Sequence, residues 1–451
     1  MQFLDKTFRL SENNTTVRVE VLAGITTFLT MAYIIFVQPA VLSKDFTGQP
    51  TGLDTGAILL ATCLASAIAS VFMGLYARYP IALAPGMGEN FFFISTIMAM
   101  SAMGFAQPWQ TALGIVFYAG ILFLILSILK VREALLNAIS PSMRNGIAVG
   151  IGIFIAFIGL KNGGVIIAKT GTLVGLNTNF LDHSVLADIT VFLIGLVISA
   201  GLHARNVRGA ILLGIFASTI VAMLFAKIQI HGIFGIPEFN KSAVFKMDLI
   251  GALNPQALPY IFVFLFMAVF DTIGTLIGVA EQAGFVKDNK LPRAERVLIV
   301  DAAGTVAGAC LGTSTVTAYI ESAAGVACGG RTGLTSITVA ILFLLALLFS
   351  PLIACIGAYL PVTASALVIV GAFMMKNVMK IDWNDGSEAI PAFLIAIGIP
   401  LTFSISDGLS LGFVAYPVVK IISGKGKTIS PLIYVVAAVI VAYYTGIRIL
   451  T

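Results

Sequence analysis

Charge is what this chain has least of. Only 10% of its 451 residues are Asp, Glu, Lys or Arg, against about 25% in a soluble domain. A soluble globular protein is thereby excluded. Histidine is nearly absent, and His183, His203 and His231 are scattered in or beside loops, so no metal site is expected. The four cysteines, Cys63, Cys310, Cys328 and Cys355, all fall in apolar stretches. They read as small packing residues rather than as disulfides or metal ligands. Ten-residue segments of alternating polarity are missing, which excludes a transmembrane β-barrel. GKGKT at 424–428 lacks the first glycine and the preceding strand of a phosphate loop, so it reads as a basic loop. No His/Asp or Cys/His constellation is evident, so neither an enzyme nor a cofactor is expected. The N-terminal twenty residues, MQFLDKTFRLSENNTTVRVE, carry no signal-peptide core and read as a cytoplasmic amphipathic lead-in.

What is there is apolar. Hydrophobic residues make up 59% of the chain, and its mean hydropathy is +1.02. Runs of about twenty apolar residues are the mark of membrane-spanning helices. They fall at about 20–42, 55–77, 81–102, 108–129, 141–160, 185–203 and 207–227. After a polar loop they resume at 258–281, 292–310, 313–328, 332–350, 352–376, 388–404 and 406–422. The expected fold class is therefore an all-α polytopic membrane protein of two halves with seven segments each. An apolar stretch at 430–448 has no partner in the first half. An odd number of spans makes the second half enter from the opposite side, so a resemblance between halves is an inverted repeat. The excess of Lys and Arg in alternate loops, such as Arg78, Lys130 with Arg132, and Lys287 with Lys290, places the N-terminus in the cytoplasm. The net charge of +5 needs no nucleic-acid partner to explain it.

Three stretches break the apolar pattern. The first, FVFLFMAVFDTIGTLIGVAEQAG at 262–284, has Asp271 near its middle. Such a residue costs about 2.5–3.5 kcal/mol at a helix centre and is functional by default, although a hydrogen bond to a neighbouring Ser or Thr would also account for it. The second, LGTSTVTAYIESAAGVACGGRTG at 311–333, passes from a β-branched piece into a helix beginning near Glu321. Glu321 could be functional or could simply cap that helix. The third, ALAPGMGENFFF at 82–93, is interrupted by Pro85, Gly86 and Gly88 just before Glu89 and Asn90. Broken segments in corresponding positions of two halves point to a transporter's binding site. The two extended pieces are expected to pair, with their helix N-termini facing one point. Asp301 reads as structural, and Asp407 as the cap of the next helix.

At these motifs the sequence resembles the AzgA-like purine nucleobase permeases, within the wider nucleobase–ascorbate transporter group. VEVLAGITTFLTMAYIIFVQPAVL, APGMGEN, FDTIGTLIGVA, LGTSTVTAYIESAAGVACGGRTGLTS and IDWNDGSEAIPAFL carry the likeness, which runs through nearly the whole chain. It implies fourteen spans in two inverted repeats. It implies a core domain of 1–130 with 258–350 and a gate domain of 131–257 with 351–451. Import of purine bases with protons is implied, as are elevator-like movement and a homodimer joined through the gate. Asp271 and Glu321 are the expected base ligands and proton carriers, with Asn90 assisting. Thr275, Ser322 and Phe91 complete the expected lining. Two positions depart from the family pattern: Glu89 and Phe91 stand where GLNAFF or GLNAYF is common, and Ala268 stands where an Asp is common. A carboxylate is thus exchanged between two helices, which places Glu89 in or beside the cavity. Transport of another uncharged base such as uracil, or anion exchange on a related fold, are the alternatives. Anions would prefer cationic residues at the break, and none lies there.

Overall fold

The computed structural model describes residues 5, 7–129, 140–169, 172–230, 232–235, 240–283, 285 and 293–450. His231 and the basic positions Lys130, Arg132, Lys287 and Lys290 lie outside them. The chain is mostly helical. Its first half contains α1 (Val17–Met31), α2 (Tyr33–Leu42), α3 (Thr55–Phe72), β1 (Leu83–Pro85), α4 (Met87–Ala102), α5 (Pro108–Ile128) and α6 (Pro141–Asn162). A hairpin of β2 (Ile166–Lys169) and β3 (Leu173–Leu176) follows, and then α7 (His183–Ala204) and α8 (Ala210–Leu224). The second half runs α9 (Leu258–Ala283), α10 (Ala294–Leu311), β4 (Val316–Ala318), α11 (Ser322–Ala327), α12 (Gly333–Ala346) and α13 (Ser350–Gly357). It closes with α14 (Leu360–Met374), α15 (Gly386–Thr402), α16 (Ile405–Ile422) and α17 (Pro431–Leu450).

Seven helices among the described residues are long and apolar enough to cross a membrane: Val17–Leu42, Thr55–Ala77, Pro108–Ile128, Pro141–Asn162, His183–Ala204, Gly333–Gly357 and Leu360–Lys380. Each of the fourteen expected segments has a helical or strand–helix counterpart. The expected boundary near 351 is displaced. Helical turns run on through Pro351 to Gly357, because proline at a first helical position has no N–H to lose. The unpartnered stretch at 430–448 is the helix α17. Asp407 is not a cap: Ser404 takes that place and accepts the Asp407 N–H at 3.2 Å. The Asp407 carboxylate instead accepts the Tyr444 hydroxyl of α17.

Two compact units emerge, Met1–Leu129 with Lys161–Ala366, and Lys130–Leu160 with Leu367–Thr451. In the larger unit, α3, β1, α9, α10, β4 and α11 share one apolar core that includes Ala69, Leu83, Val279, Val300, Val316 and Val326. Backbones approach closely here. A Cβ on Gly333 would stand 1.9 Å from the Gly74 carbonyl oxygen, so only glycine lets α12 cross the end of α3. Such small-residue crossings bring membrane helices together by van der Waals contact. In the smaller unit, α15 and α16 pack along one another. A Cβ on Gly412 would lie 2.1 Å from the Ile395 side chain. At the α15 N-terminus Asp385 accepts from Lys425 at 2.7 Å. That pair, with N-cap hydrogen bonds from Ser387, holds the carboxyl well below the usual carboxylate range.

Candidate functional site

The site begins as a problem in backbone chemistry. Pro85 has no N–H and pushes Ala84 out of the helical region, while Thr313, Thr315, Val316 and Thr317 are β-branched and stiff. Both segments are therefore extended in the middle of an apolar protein, where each backbone polar group needs a partner. They find one another. β1 pairs antiparallel with β4, with Leu83 opposite Ala318, Ala84 opposite Thr317 and Pro85 opposite Val316. Gly86 N–H to the Thr315 carbonyl and Tyr319 N–H to the Ala82 carbonyl, each 3.0 Å, extend the ribbon at both ends.

Side chains supply the remaining partners. The Ser70 hydroxyl accepts the Leu83 N–H at 3.1 Å, and the Thr305 hydroxyl donates to the Val316 carbonyl at 3.0 Å. The Ser322 hydroxyl accepts the Ala82 N–H at 3.0 Å. Asp301, fully buried, accepts the Ala318 N–H at 2.9 Å through one carboxyl oxygen and the Thr272 hydroxyl through the other. The Tyr319 hydroxyl donates to the Pro85 carbonyl. Asp301 thus fastens β4 to α9 and α10, as its structural reading anticipates. Ser322, expected in the lining, is fully buried and committed to the ribbon.

Four carboxyls gather at this ribbon. Asp271 lies on α9 and is exposed, while Thr272 on the same turn is fully buried. The Thr317 hydroxyl stands 3.2 Å from the Thr272 hydroxyl. Glu321 is partly buried at the N-terminal end of α11. Its side chain does not cap that helix; it accepts the Tyr33 hydroxyl at 2.9 Å. Tyr33 is the first residue of α2. Glu89 lies in the first turn of α4, 3% exposed, with its carboxyl folded back over Gly86. Asp301 is the fourth. Among the described residues no Lys, Arg or His pairs with any of the four.

The other expected residues occupy defined places. Asn90 is fully buried, and its amide is spent on neighbours. Its oxygen accepts from Gln38 at 2.9 Å and from the Ser314 hydroxyl, and its nitrogen donates to the Gln38 oxygen. Gln38 also donates to Thr313 at 3.1 Å. This network ties α2, α4 and the approach to β4 together. Phe91 is buried against Phe46, ring centroids 6.3 Å apart and nearly parallel. Thr275 and Ala268 lie one turn to either side of Asp271 on α9, both buried. Sequence reasoning passed over Tyr33, Gln38 and Thr317. A glutamine inside IIFVQPAVL was the readable signal for the second, since an amide at membrane depth needs partners.

Among known proteins, the Xan_ur_permease model, described as a permease family, matches residues 18–411. The adenine permease AdeP of Escherichia coli is 42% identical over 435 residues, 96% of this chain and 94% of that protein. The guanine/hypoxanthine permease PbuG of Bacillus subtilis is 41% identical over 451 residues, 98% of this chain and 99% of that one. A putative permease of Methanocaldococcus jannaschii is 48% identical over 441 residues, 97% of each chain. The transmembrane domain of a cyanobacterium bicarbonate transporter, BicA, superposes with a TM-score of 0.65 at 14% identity, covering 87% of this chain and 97% of that domain. The murine Solute Carrier 26 family member A9 anion transporter gives 0.60 at 12% identity, covering 94% of this chain and 72% of that one. These two likenesses are of fold alone.

Proposed function

Because this chain belongs to that permease family, we propose that it is a secondary active transporter that imports purine nucleobases with protons. It is a multi-pass membrane transporter and not an enzyme. The finer reading rests above all on one observation: an exposed Asp271 and a partly buried Glu321 lie by a paired break, with no cation paired to them among the described residues. A purine is flat, uncharged and rich in N–H donors, and a carboxylate accepts two such bonds in parallel. Glu321, oriented by Tyr33, and Asp271 hold the polar edge of the base. Thr275 borders the same turn of α9. Asn90 acts at one remove, by fixing the ribbon that carries the ligands, and Ser322 does the same through Ala82. Phe91 packs behind them. Anion exchange is disfavoured by the same observation, because an anion would meet carboxylates with no positive partner among the described residues.

The coupling follows from the chemistry of a poorly solvated carboxyl, for which burial favours the protonated form. A proton taken from outside neutralises the cluster, the loaded site turns inward, and the proton leaves to the cytoplasm. All four carboxyls of the cluster lie in the core of 1–130 and 258–350, which would carry them in an elevator-like movement. The gate, 131–257 and 351–451, would hold the homodimer, and the N-terminus faces the cytoplasm. In cells expressing the protein, an uncoupler is expected to collapse accumulation of labelled purine while sparing equilibrative exchange. Uptake that followed an imposed sodium gradient and ignored pH would refute proton coupling.

A further inference from the structure

The polar loop that leads into α9 is fastened down over 240–257. The Asn240 amide donates to the Asp54 carboxylate at 2.6 Å, and Asp54 is the N-cap of α3. The Phe245 N–H donates to the Cys310 carbonyl at 2.7 Å, in the last turn of α10. Beside it Ala243 is buried against Gly312, where an added Cβ would stand 2.4 Å from the Ala243 Cβ. The third anchor is Asp248. Its N–H donates to the Gln110 carbonyl at 2.9 Å, and its carboxylate accepts the Thr111 hydroxyl at 3.1 Å, both in the first turn of α5. A Cβ on Gly114 would lie 2.3 Å from the Asp248 carbonyl oxygen, so only glycine lets α5 pass this close. The other Asp248 carboxyl oxygen accepts the Gly251 N–H at 2.9 Å and caps the single turn Leu249–Ala252. Ala252 and Ala257 are fully buried.

We propose that 240–257 form a clasp that belongs to the moving core, so that the core takes in these residues rather than resuming at 258. This rests on the nucleobase-transport reading with its elevator-like movement, and it says which part of the chain travels with the base. One anchor would leave a pivot. Three anchors on α3, α5 and α10 fix both the place and the tilt of the segment. If it stayed with the gate, each turnover would break all three and uncover Ala243, Ala252 and Ala257. The α10 anchor also has a use at the site. Gly312 leads directly into Thr313 and Ser314, which bind Gln38 and Asn90. The clasp therefore steadies the helix end from which β4 starts.

The test uses a chain whose four cysteines, Cys63, Cys310, Cys328 and Cys355, are replaced by alanine, reconstituted in proteoliposomes. Two pairs are introduced separately, Asp54→Cys with Asn240→Cys and Thr111→Cys with Asp248→Cys, and each is closed by oxidation. Each locked protein should keep purine counterflow within about twofold of the same protein after reduction, because a lock inside one rigid body hinders no movement. Arrest on closing with recovery on reduction overturns the proposal, and so does failure of both pairs to close. Spin labels at exposed positions give a second reading. Ile250→Cys with Gln107→Cys reports the clasp against the core, and Ile250→Cys with Leu401→Cys reports it against the gate. Adding purine should leave the first distance fixed and shift the second; the reverse pattern refutes the clasp. A reduced protein without counterflow defeats the nucleobase reading itself, and two fixed distances defeat the elevator-like movement. Arrest by the lock in an otherwise active carrier defeats only the clasp.

Discussion

Glu321→Gln should abolish concentrative purine uptake while leaving the protein folded and in the membrane. The substitution keeps the shape of the side chain and turns one acceptor oxygen into a donor. Tyr33 donates to Glu321 at 2.9 Å, and a glutamine oxygen can still receive that bond. Its NH2 group must then face the base, where N–H donors already point, so donor meets donor. Hydrogen bonds to a charged group contribute about 1.5–3 kcal/mol each. Losing one and opposing a second corresponds to a drop of roughly a hundredfold in affinity, at about 1.4 kcal/mol per tenfold. Tyr33→Phe is the informative companion. It keeps the carboxylate and removes only its orienting bond, so uptake should fall by about tenfold or less. Initial rates and steady accumulation of labelled purine, measured at matched membrane expression, read both variants. Wild-type accumulation by the glutamine variant would remove Glu321 from the site.

The second large effect concerns folding. Asp301→Ala should prevent recovery of a stable, monodisperse protein. Asp301 is fully buried and closes two bonds, from the Ala318 N–H at 2.9 Å and from the Thr272 hydroxyl. Without it both donors are left buried, at about 1–3 kcal/mol each, and β4 loses its tether to α9. Such sums are large beside the usual 5–15 kcal/mol of net stability. Asp301→Asn should behave differently. Its amide oxygen can still accept the Ala318 N–H, and its nitrogen can donate to Thr272, whose hydroxyl can turn toward Thr317 at 3.2 Å. The asparagine protein should stay within about 1 kcal/mol of the wild type. Thermal unfolding in detergent distinguishes the two, and an alanine variant with the wild-type midpoint would contradict the structural role.

The sequence carried the architecture because membrane helices and their interruptions are written in composition. Pro85 and Gly86 marked one break and TSTVT the other, and backbone that cannot stay unpaired at membrane depth has few solutions. Their antiparallel pairing was therefore legible. The second layer was not. That Ser322 binds Ala82 and that Asn90 spends its amide on Gln38 and Ser314 depends on which way a helix is turned, and no residue spacing states that. The Tyr33–Glu321 bond likewise depends on how a helix is turned, and nothing in TTFLTMAYIIF announces it. The boundary displaced to Gly357 failed for the opposite reason. Pro351 looks like a stop in sequence and is tolerated where a helical turn begins.

Counterflow in proteoliposomes tests the central claim most directly, because it requires a carrier and reports what the carrier accepts. Vesicles preloaded with unlabelled adenine, guanine, hypoxanthine, xanthine, uracil or bicarbonate are diluted into a trace of labelled purine. The account predicts a transient overshoot of label when at least one purine is inside, no overshoot with bicarbonate, and loss of the overshoot in Glu321→Gln. Absence of overshoot with every purine, or an overshoot driven by bicarbonate, would contradict it.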